Sequence, residues 1–374
     1  MLKVVVMGAG KIGSVIADML AATKEYKVTL ADQDEGALQR AQELNPAIRI
    51  QQVDAENSKA LTKLIRGQYA LLNACPFTMN AKLVPLAVEE GVHYLDLTED
   101  VASTRHVKAL AKKAKSALIP QCGLAPGFVS VAAASLAQHF DTLLNVQMRV
   151  GALPMYPNNA LKYNLTWSTD GLINEYLNPC EAIVNGERRE VPPMEELEHF
   201  TLDGDNYEAF NTSGGLGTLC ETLAGKVQNL NYRTVRYPGH RDLMKMLLND
   251  LRLGENRPLL KQIFENSIPV TMQDVVLVYV TVSGYKKSML VQESFVRKVY
   301  GNQFAAHPRS AIQITTASGI CTALDLLAEG KLPAKGFIRQ EDISLKDFLA
   351  NRFGCCYNPP QSPSSRPSNR KKTA

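Results

Sequence analysis

Two hydrophobic rhythms divide this chain. Up to about residue 120, short apolar runs at 2–7, 28–31, 48–53, 69–74, 92–97 and 117–120 alternate with segments that carry an apolar residue every third or fourth position, at 35–44, 57–65, 79–90 and 100–116. The short runs predict buried strands and the longer period predicts amphipathic helices. Gly91, directly after the segment 79–90, is placed to end that helix. Strand and helix in strict alternation predict a doubly wound parallel sheet with helices on both faces.

Beyond residue 127 the rhythm changes. A helix is predicted over 128–140, and 145–150 alternates with Val146, Met148 and Val150 on one face. Segments 181–184 and 187–191 flank Asn185-Gly186, a type I′ hairpin signal. Segments 275–282 and 289–299 predict a second hairpin around Gly284. Long alternating strands joined by turns predict a mixed or antiparallel sheet. A helical period returns over 308–330 through Ile312, Ile320, Leu324 and Leu327, with Ala317, Ser318 and Gly319 as a notch for close packing, and 342–353 predicts a last helix. The expected fold class is α/β: a Rossmann-like doubly wound parallel sheet plus an α+β substrate domain with a mixed or antiparallel sheet. The first domain is expected to be discontinuous, built from 1–126 and 308–353, with the substrate domain at 127–307. A Pro/Ser-rich basic tail at 357–374 is expected to be disordered.

Chemistry enters at the turn between the first strand and the first helix, Gly8-Ala9-Gly10-Lys11-Ile12-Gly13. Gly8 permits a tight turn, Gly10 lets a pyrophosphate approach the backbone, and Gly13 lets the helix pack closely on the strand. The helix start, with Lys11 and Ile12, offers free N–H groups and a positive dipole end to phosphates. Asp32 ends the second strand, where a carboxylate accepts a bond from a ribose 2′-OH and repels a 2′-phosphate. Gln33-Asp34 follow with no Arg, so NAD is the expected cofactor ahead of NADP; a helix N-cap is the alternative role for Asp32. Ligands of such sheets bind beyond the carboxyl ends of the strands. That places Asp54 on the adenine side, Asn73, Ala74 and Cys75 beside the pyrophosphate and nicotinamide, Asp96 facing the reacting ring, and Leu124 and Pro126 where the chain leaves the sixth strand. Asn73 and Asp54 are also ordinary turn residues. Cys75 has no identifiable base nearby and reads equally as a small buried filler.

Bulk composition changes this picture little. The 374 residues are 45% hydrophobic and 21% charged, and two domains are the prior. The formal charge of +4 traces to the tail: Arg366, Arg370, Lys371 and Lys372 lie in the last 14 residues, and the rest is balanced at 37 basic against 37 acidic residues. Nucleic-acid binding by the body is not expected. Seven scattered cysteines without a C-x-x-C pair suit a reduced, cytoplasmic protein. No apolar run is expected to reach membrane-spanning length, and no membrane partner is expected. No Cys/His cluster has metal-ligand spacing, so no metal is expected.

In the substrate domain, Arg236 and His240 fall near one strand end, in a segment reading TVRYPGH. Arg236 suits a carboxylate clamp, and His240 suits a general base near neutral pH. Thr212, Ser213, Gly214 and Gly215 precede a predicted helix at 218–224 and could form an anion site. Tyr163 and Asn164, beside the single tryptophan Trp167, could line the crevice between domains.

Taken together, the segments GAGKIG, NACPFTMN, GVHYLDL, GLAPG, AFNTSGGLGTL and TVRYPGH resemble the saccharopine dehydrogenase family, closest to its lysine 6-dehydrogenase branch. The resemblance implies NAD(P)-dependent oxidation of a C–N bond in lysine or a lysine-derived amino acid, in an enzyme that forms a homodimer or higher homo-oligomer. It implies that His240, with Asp96, handles the amine proton, and that Arg236, with Ser213 and the Gly214-Gly215 turn, holds the α-carboxylate. Saccharopine oxidation or reduction, or a carboxyspermidine-type coupling, is the alternative within the class; a non-catalytic NAD sensor is the alternative outside it. The resemblance also implies an added helical insertion in larger relatives, for which this chain is too short, and that favours the lysine dehydrogenase-like branch.

Overall fold

The computed structural model describes residues 1–304 and 307–358; most of the stretch expected to be a disordered tail lies outside them. The first sheet comprises β1 (Leu2–Met7), β2 (Tyr26–Asp32), β3 (Arg49–Gln52), β4 (Ala70–Asn73), β5 (His93–Asp96) and β6 (Ala117–Ile119). Helices α1 (Gly13–Ala22), α2 (Glu35–Leu44), α3 (Ser58–Ile65), α4 (Asn80–Glu90) and α5 (Val101–Ala111) connect them. After α6 (Phe128–Ala137) come β7 (Thr142–Pro154), α7 (Thr169–Leu177), β8 (Cys180–Val184), β9 (Glu187–Val191), β10 (Glu198–Leu202), β11 (Asp205–Asn211), α8 (Leu219–Thr222) and β12 (Val227–Arg236). Then follow α9 (His240–Lys245), α10 (Arg257–Ser267), β13 (Asp274–Lys286), β14 (Met289–Tyr300), β15 (Asn302–Phe304), β16 (His307–Arg309), α11 (Ala311–Ala328), β17 (Gly336–Phe337) and α12 (Leu345–Ala350).

The first sheet has the order β17-β6-β5-β4-β1-β2-β3, and every neighbouring pair in it is parallel. The order reverses between β1 and β4, and a crevice opens there beyond the carboxyl ends. The second sheet has the order β10-β11-β12-β7-β13-β14, with β8 and β9 off its path. Its β12–β7 pair is parallel and its other pairs are antiparallel, so the sheet is mixed.

The Asn185-Gly186 turn has both residues at positive φ, as a type I′ turn requires. The β13–β14 hairpin departs from expectation. Its turn is Lys287-Ser288, both at positive φ, while Gly284 sits inside the strand at a register shift. A Cβ on Gly284 would lie 2.1 Å from the Thr142 carbonyl oxygen, so that glycine permits close strand approach instead of making the turn.

Helix α11 ties the two sheets together. Ser310 caps it, and the buried Asp274 at the start of β13 accepts the N–H groups of Ala311 and Ile312. The small-residue notch sits against the chain after β6: a Cβ on Gly319 would lie 2.4 Å from the Cys122 carbonyl oxygen. By length and composition α11 could cross a membrane, contrary to the expectation that no segment is long enough, but 83% of it is buried inside the protein. A separate apolar cluster joins α7, α9 and α10 through Tyr176, Met244, Leu260 and Phe264. This small helical lobe is a feature that hydrophobic pattern alone did not suggest.

Candidate active site

The glycine turn is built as its three jobs require. Gly8 has φ +98°, and a Cβ there would press on the Ala74 backbone at 3.0 Å. A Cβ on Gly13 would stand 1.8 Å from the Gly8 carbonyl oxygen. Gly10 faces open space, with no atom within 4 Å of where its Cβ would be. The Asp32 carboxylate accepts the N–H of Ala9 at 2.6 Å and that of Asp34 at 2.9 Å, so it braces the glycine turn. Asp34, not Asp32, caps α2. A surface cavity runs along Gly10, Lys11, Ser14 and Asp32 and also touches Arg40. Arg40 lies six residues beyond Asp34, nearly two helical turns into α2, so a search confined to the strand end misses this cation. These residues fit a dinucleotide: an open glycine, free N–H groups at a helix start, and a fixed carboxylate.

A second cavity, of about 280 Å³, continues from Ile12 and Ala74 into the space between the sheets. Ala74, Cys75, Leu124 and Pro126 line it, together with Glu99, Trp167, Glu175 and Arg236. Burial pushes the Cys75 thiol up to about 12, which leaves it a neutral wall.

Strand alternation decides which strand-end residues reach this cavity. Val4, Val6, Leu72 and Leu95 face the core shared with α1, α6 and α11, whereas Val5, Met7, Leu71 and Tyr94 face the core shared with α3 to α5. Ala74 and Leu97 continue the first set into the cavity. Asn73 and Asp96 belong to the second set and turn away from it. Asn73 donates to Asn80 at 2.7 Å and accepts the Cys75 N–H at 3.0 Å. Asp96 is 1% exposed and accepts bonds from Asn80, Thr98 N–H and Gln121 N–H. Burial raises it to about 6 against those bonds. Both brace the chain under the cavity floor, which corrects the expectation that they meet the nicotinamide and substrate. Asp54 is exposed, and its carboxylate closes on the Glu56 N–H at 2.9 Å; it forms the turn before α3.

Arg236 does reach the cavity. It is 3% exposed, with Nε donating to the Tyr176 hydroxyl at 2.9 Å and the guanidinium 5.0 Å from the Tyr163 ring centre. His240 lies behind it. Its Nδ1 is 2.7 Å from the Leu161 carbonyl oxygen, which only accepts, so Nδ1 carries the proton. Nε2 then accepts from the Tyr176 hydroxyl at 3.0 Å. The bonds run one way, from Arg236 through Tyr176 to His240 and on to Leu161. Burial and the Arg236 charge push His240 down to about 3. A histidine that is 1% exposed, holds both nitrogens in bonds and stays neutral is a positioning residue for Arg236. The expectation that His240 is the general base is corrected on that ground. Tyr163 packs on Arg236 and accepts from Trp167 at 3.2 Å; Tyr163 and Asn164 are buried behind the cavity wall.

The segment 212–217 is also reassigned. Gly214, at φ +88°, lies against the Glu99 backbone, and a Cβ on Gly215 would strike the Tyr232 ring at 2.3 Å. The Ser213 hydroxyl donates to the Pro179 carbonyl oxygen, and Thr212 is buried. Helix α8 is only four residues long. These residues set the positions of Glu99 and Tyr232 and form no anion cradle with Arg236.

Two carboxylates missed in the sequence face the cavity, Glu99 and Glu175. Burial raises both, Glu175 to about 8 despite the Arg236 charge opposing the shift. Glu175 Oε2 lies 3.9 Å from Arg236. The signal was helical phase: Ser168, Gly171 and Glu175 follow one another at i, i+3 and i+7 on one face of α7. Among the described residues, no group of three or more His, Cys, Asp or Glu is arranged to hold a metal ion.

This combination of a dinucleotide turn and a polar cavity over the same sheet edge defines a Rossmann-type dinucleotide-binding fold. Residues 4–119 match the saccharopine dehydrogenase NADP binding domain, and residues 123–352 match the saccharopine dehydrogenase C-terminal domain. The chain belongs to the saccharopine dehydrogenase family. It is 20% identical over 323 residues to the mitochondrial alpha-aminoadipic semialdehyde synthase of Mus musculus, covering 80% of this chain and 33% of that protein. It is 26% identical over 249 residues to the carboxyaminopropylagmatine dehydrogenase of Synechocystis, covering 62% of this chain and 60% of that protein. The chain thus spans about a third of the semialdehyde synthase it matches. The apo saccharopine dehydrogenase (L-Glu forming) of Saccharomyces cerevisiae superposes with a TM-score of 0.77 at 15% identity, covering 94% of this chain and 97% of that one, a likeness of fold.

Proposed function

We propose that this protein oxidises the carbon beside an amine nitrogen in lysine or a lysine-derived amino acid, with NAD as the preferred dinucleotide. The observation that supports this reading most strongly is the cavity itself. One buried cation, Arg236, the buried carboxyl of Glu175, the half-buried carboxyl of Glu99 and the more exposed one of Asp170 line it together, next to the dinucleotide turn. Gly10, Lys11 and Asp32 would hold the dinucleotide, with Asp32 favouring a free ribose 2′-OH. When bound, the nicotinamide supplies the hydride acceptor.

The chain's own groups do the rest. Arg236 pairs with the substrate α-carboxylate, held in place by Tyr176 and His240. Glu175, protonated below about pH 8, leaves the Arg236 charge free for that carboxylate. Glu99 follows directly on Leu97 and Thr98 at the end of β5, and it takes the proton from the substrate ammonium. A neutral amine can push electrons toward the carbon as hydride leaves, whereas an ammonium cannot. Trp167 walls the cavity and limits water at the reacting carbon.

Purified protein, scanned with amino acids and amines at alkaline pH with NAD and then NADP, should form reduced cofactor with lysine or a lysine derivative. Arg236→Ala should raise KM for carboxylate-bearing substrates at least tenfold. Absence of reduced cofactor with every amine tried would refute the reading and favour a dinucleotide sensor.

A further inference from the structure

The dinucleotide cavity holds a cation that the proposed function leaves unused. The end of β2 and the helix α2 with its cap contribute Asp32, Asp34, Ala37 and Arg40 to the cavity that also holds the glycine turn. Both acids are fixed by backbone bonds. Asp32 accepts the N–H groups of Ala9 and Asp34, and Asp34 Oδ1 accepts the Ala37 N–H at 3.1 Å. Arg40 is not fixed in this way. Its side chain is 70% exposed, and among the described residues its ionic partner is Asp34 Oδ2, 3.9 Å away and on a side chain that is itself 62% exposed. That separation is beyond hydrogen-bond reach, and an ion pair between two exposed groups is held weakly.

Gly36 lets Arg40 lie where it does. Helical side chains tilt toward the N-terminus, and residues four apart share a face, so Arg40 runs back over Gly36 to the start of α2. A Cβ on Gly36 would lie 3.3 Å from Arg40 Nη1 and 3.3 Å from Asp34 Oδ1. The backbone does not demand this glycine, which is not at positive φ, and glycine weakens a helix. What it leaves is a gap in which the Arg40 guanidinium and the Asp34 carboxylate meet at the edge of the cavity.

We propose that Arg40 and Asp34 together set the choice between NAD and NADP: Arg40 receives a ribose 2′-phosphate, and Asp34 competes with that phosphate for Arg40. With a 2′-OH, nothing has to break the pair, and two acids against one cation favour the uncharged group. With a 2′-phosphate, Arg40 exchanges a loose carboxylate partner for phosphate oxygens that match its planar N–H fork. NADP is then bound more weakly than NAD and is not excluded. This rests on the proposed dinucleotide site and names the residues behind its preference; it does not depend on which amine is oxidised.

The test is calorimetric titration of the full chain, without substrate, with NAD, NADP, 5′-AMP and adenosine 2′,5′-bisphosphate. Both dinucleotides should bind, NAD more tightly. Arg40→Ala should widen the ratio of NAD to NADP affinity about tenfold or more, as loss of a charge-assisted bond does. Asp34→Asn, which keeps a side-chain oxygen to cap α2, should narrow that ratio about fivefold by removing a nearby like charge. The ratio of 5′-AMP to the bisphosphate should move the same way in each variant. An unchanged ratio in Arg40→Ala, or an equal loss of both dinucleotides, would overturn the assignment of Arg40. A ratio that stays or widens in Asp34→Asn would overturn the competition. Failure of either dinucleotide to bind would refute the inference together with the cofactor site. Ratios that shift as stated while no amine is oxidised would sustain the inference and remove the proposed chemistry.

Discussion

Two glycine-rich segments of this chain look alike as text and differ in the fold. In the first, residues 8–13, one glycine is left with open space beside it while its neighbours are crowded by backbone. In the second, residues 213–217, Gly214 and Gly215 are both filled against, one by the Glu99 backbone and the other by the Tyr232 ring. The first segment follows a parallel strand and opens a ten-residue helix; the second opens a helix of four residues. Helix length and open space, not glycine content, separate a phosphate-binding turn from a packing spacer. A glycine run therefore has to be read with what surrounds it in space.

Substitutions can break this contrast. Gly13→Ala should be the most damaging, because its Cβ cannot stand 1.8 Å from a carbonyl oxygen. Dinucleotide affinity measured by calorimetry should fall at least 100-fold, and the thermal midpoint should drop as well. Gly215→Ala should cost about 1–3 kcal/mol of stability through overpacking and raise the substrate KM, with dinucleotide affinity retained. If dinucleotide affinity fell instead, the second segment would belong to the cofactor site after all.

A subtler probe sharpens the electrostatic side. A simple carboxylate inhibitor such as hexanoate should bind well while Glu175 is protonated and lose about tenfold or more as pH rises past 8, when Glu175 ionises and competes for Arg236; the partners attract strongly at this separation. In Glu175→Gln that loss should vanish, and a loss that persists would detach Glu175 from the anion site. Gly10→Ala should be the mildest change. Melting should be unaltered, since nothing lies near its Cβ, while dinucleotide affinity should weaken about tenfold because the pyrophosphate needs that space.

The doubly wound sheet was legible because the central strand runs are mostly apolar and the helices between them carry their own period, so local pattern and tertiary role agree. The glycine turn was legible for the same reason: Gly8, Gly10 and Gly13 act within one strand–helix unit. The cavity wall was not. Asp96 and Leu97 are adjacent in sequence and face opposite sides of the sheet, so locating a residue at a strand end leaves its direction undecided. His240 sits beside Arg236 as its segment implied, but its burial depends on Tyr176 and Leu161, residues more than 60 positions away. Glu99 and Glu175 become a pair only once β5 and α7 are brought together, a long-range contact that no local pattern encodes. Gly284 failed differently: its glycine reads as a turn, yet the tight contact with Thr142 is what demands it.

Single-site kcat values decide most directly which group handles the amine proton. Glu99→Gln should lower kcat for amine oxidation about 10²- to 10⁴-fold, the range general base catalysis provides, with the fold and dinucleotide binding intact. His240→Asn should keep kcat within about threefold and act through KM, as a residue that only steadies Arg236 would. The reverse, a collapse of kcat in His240→Asn with Glu99→Gln near wild type, would contradict the account.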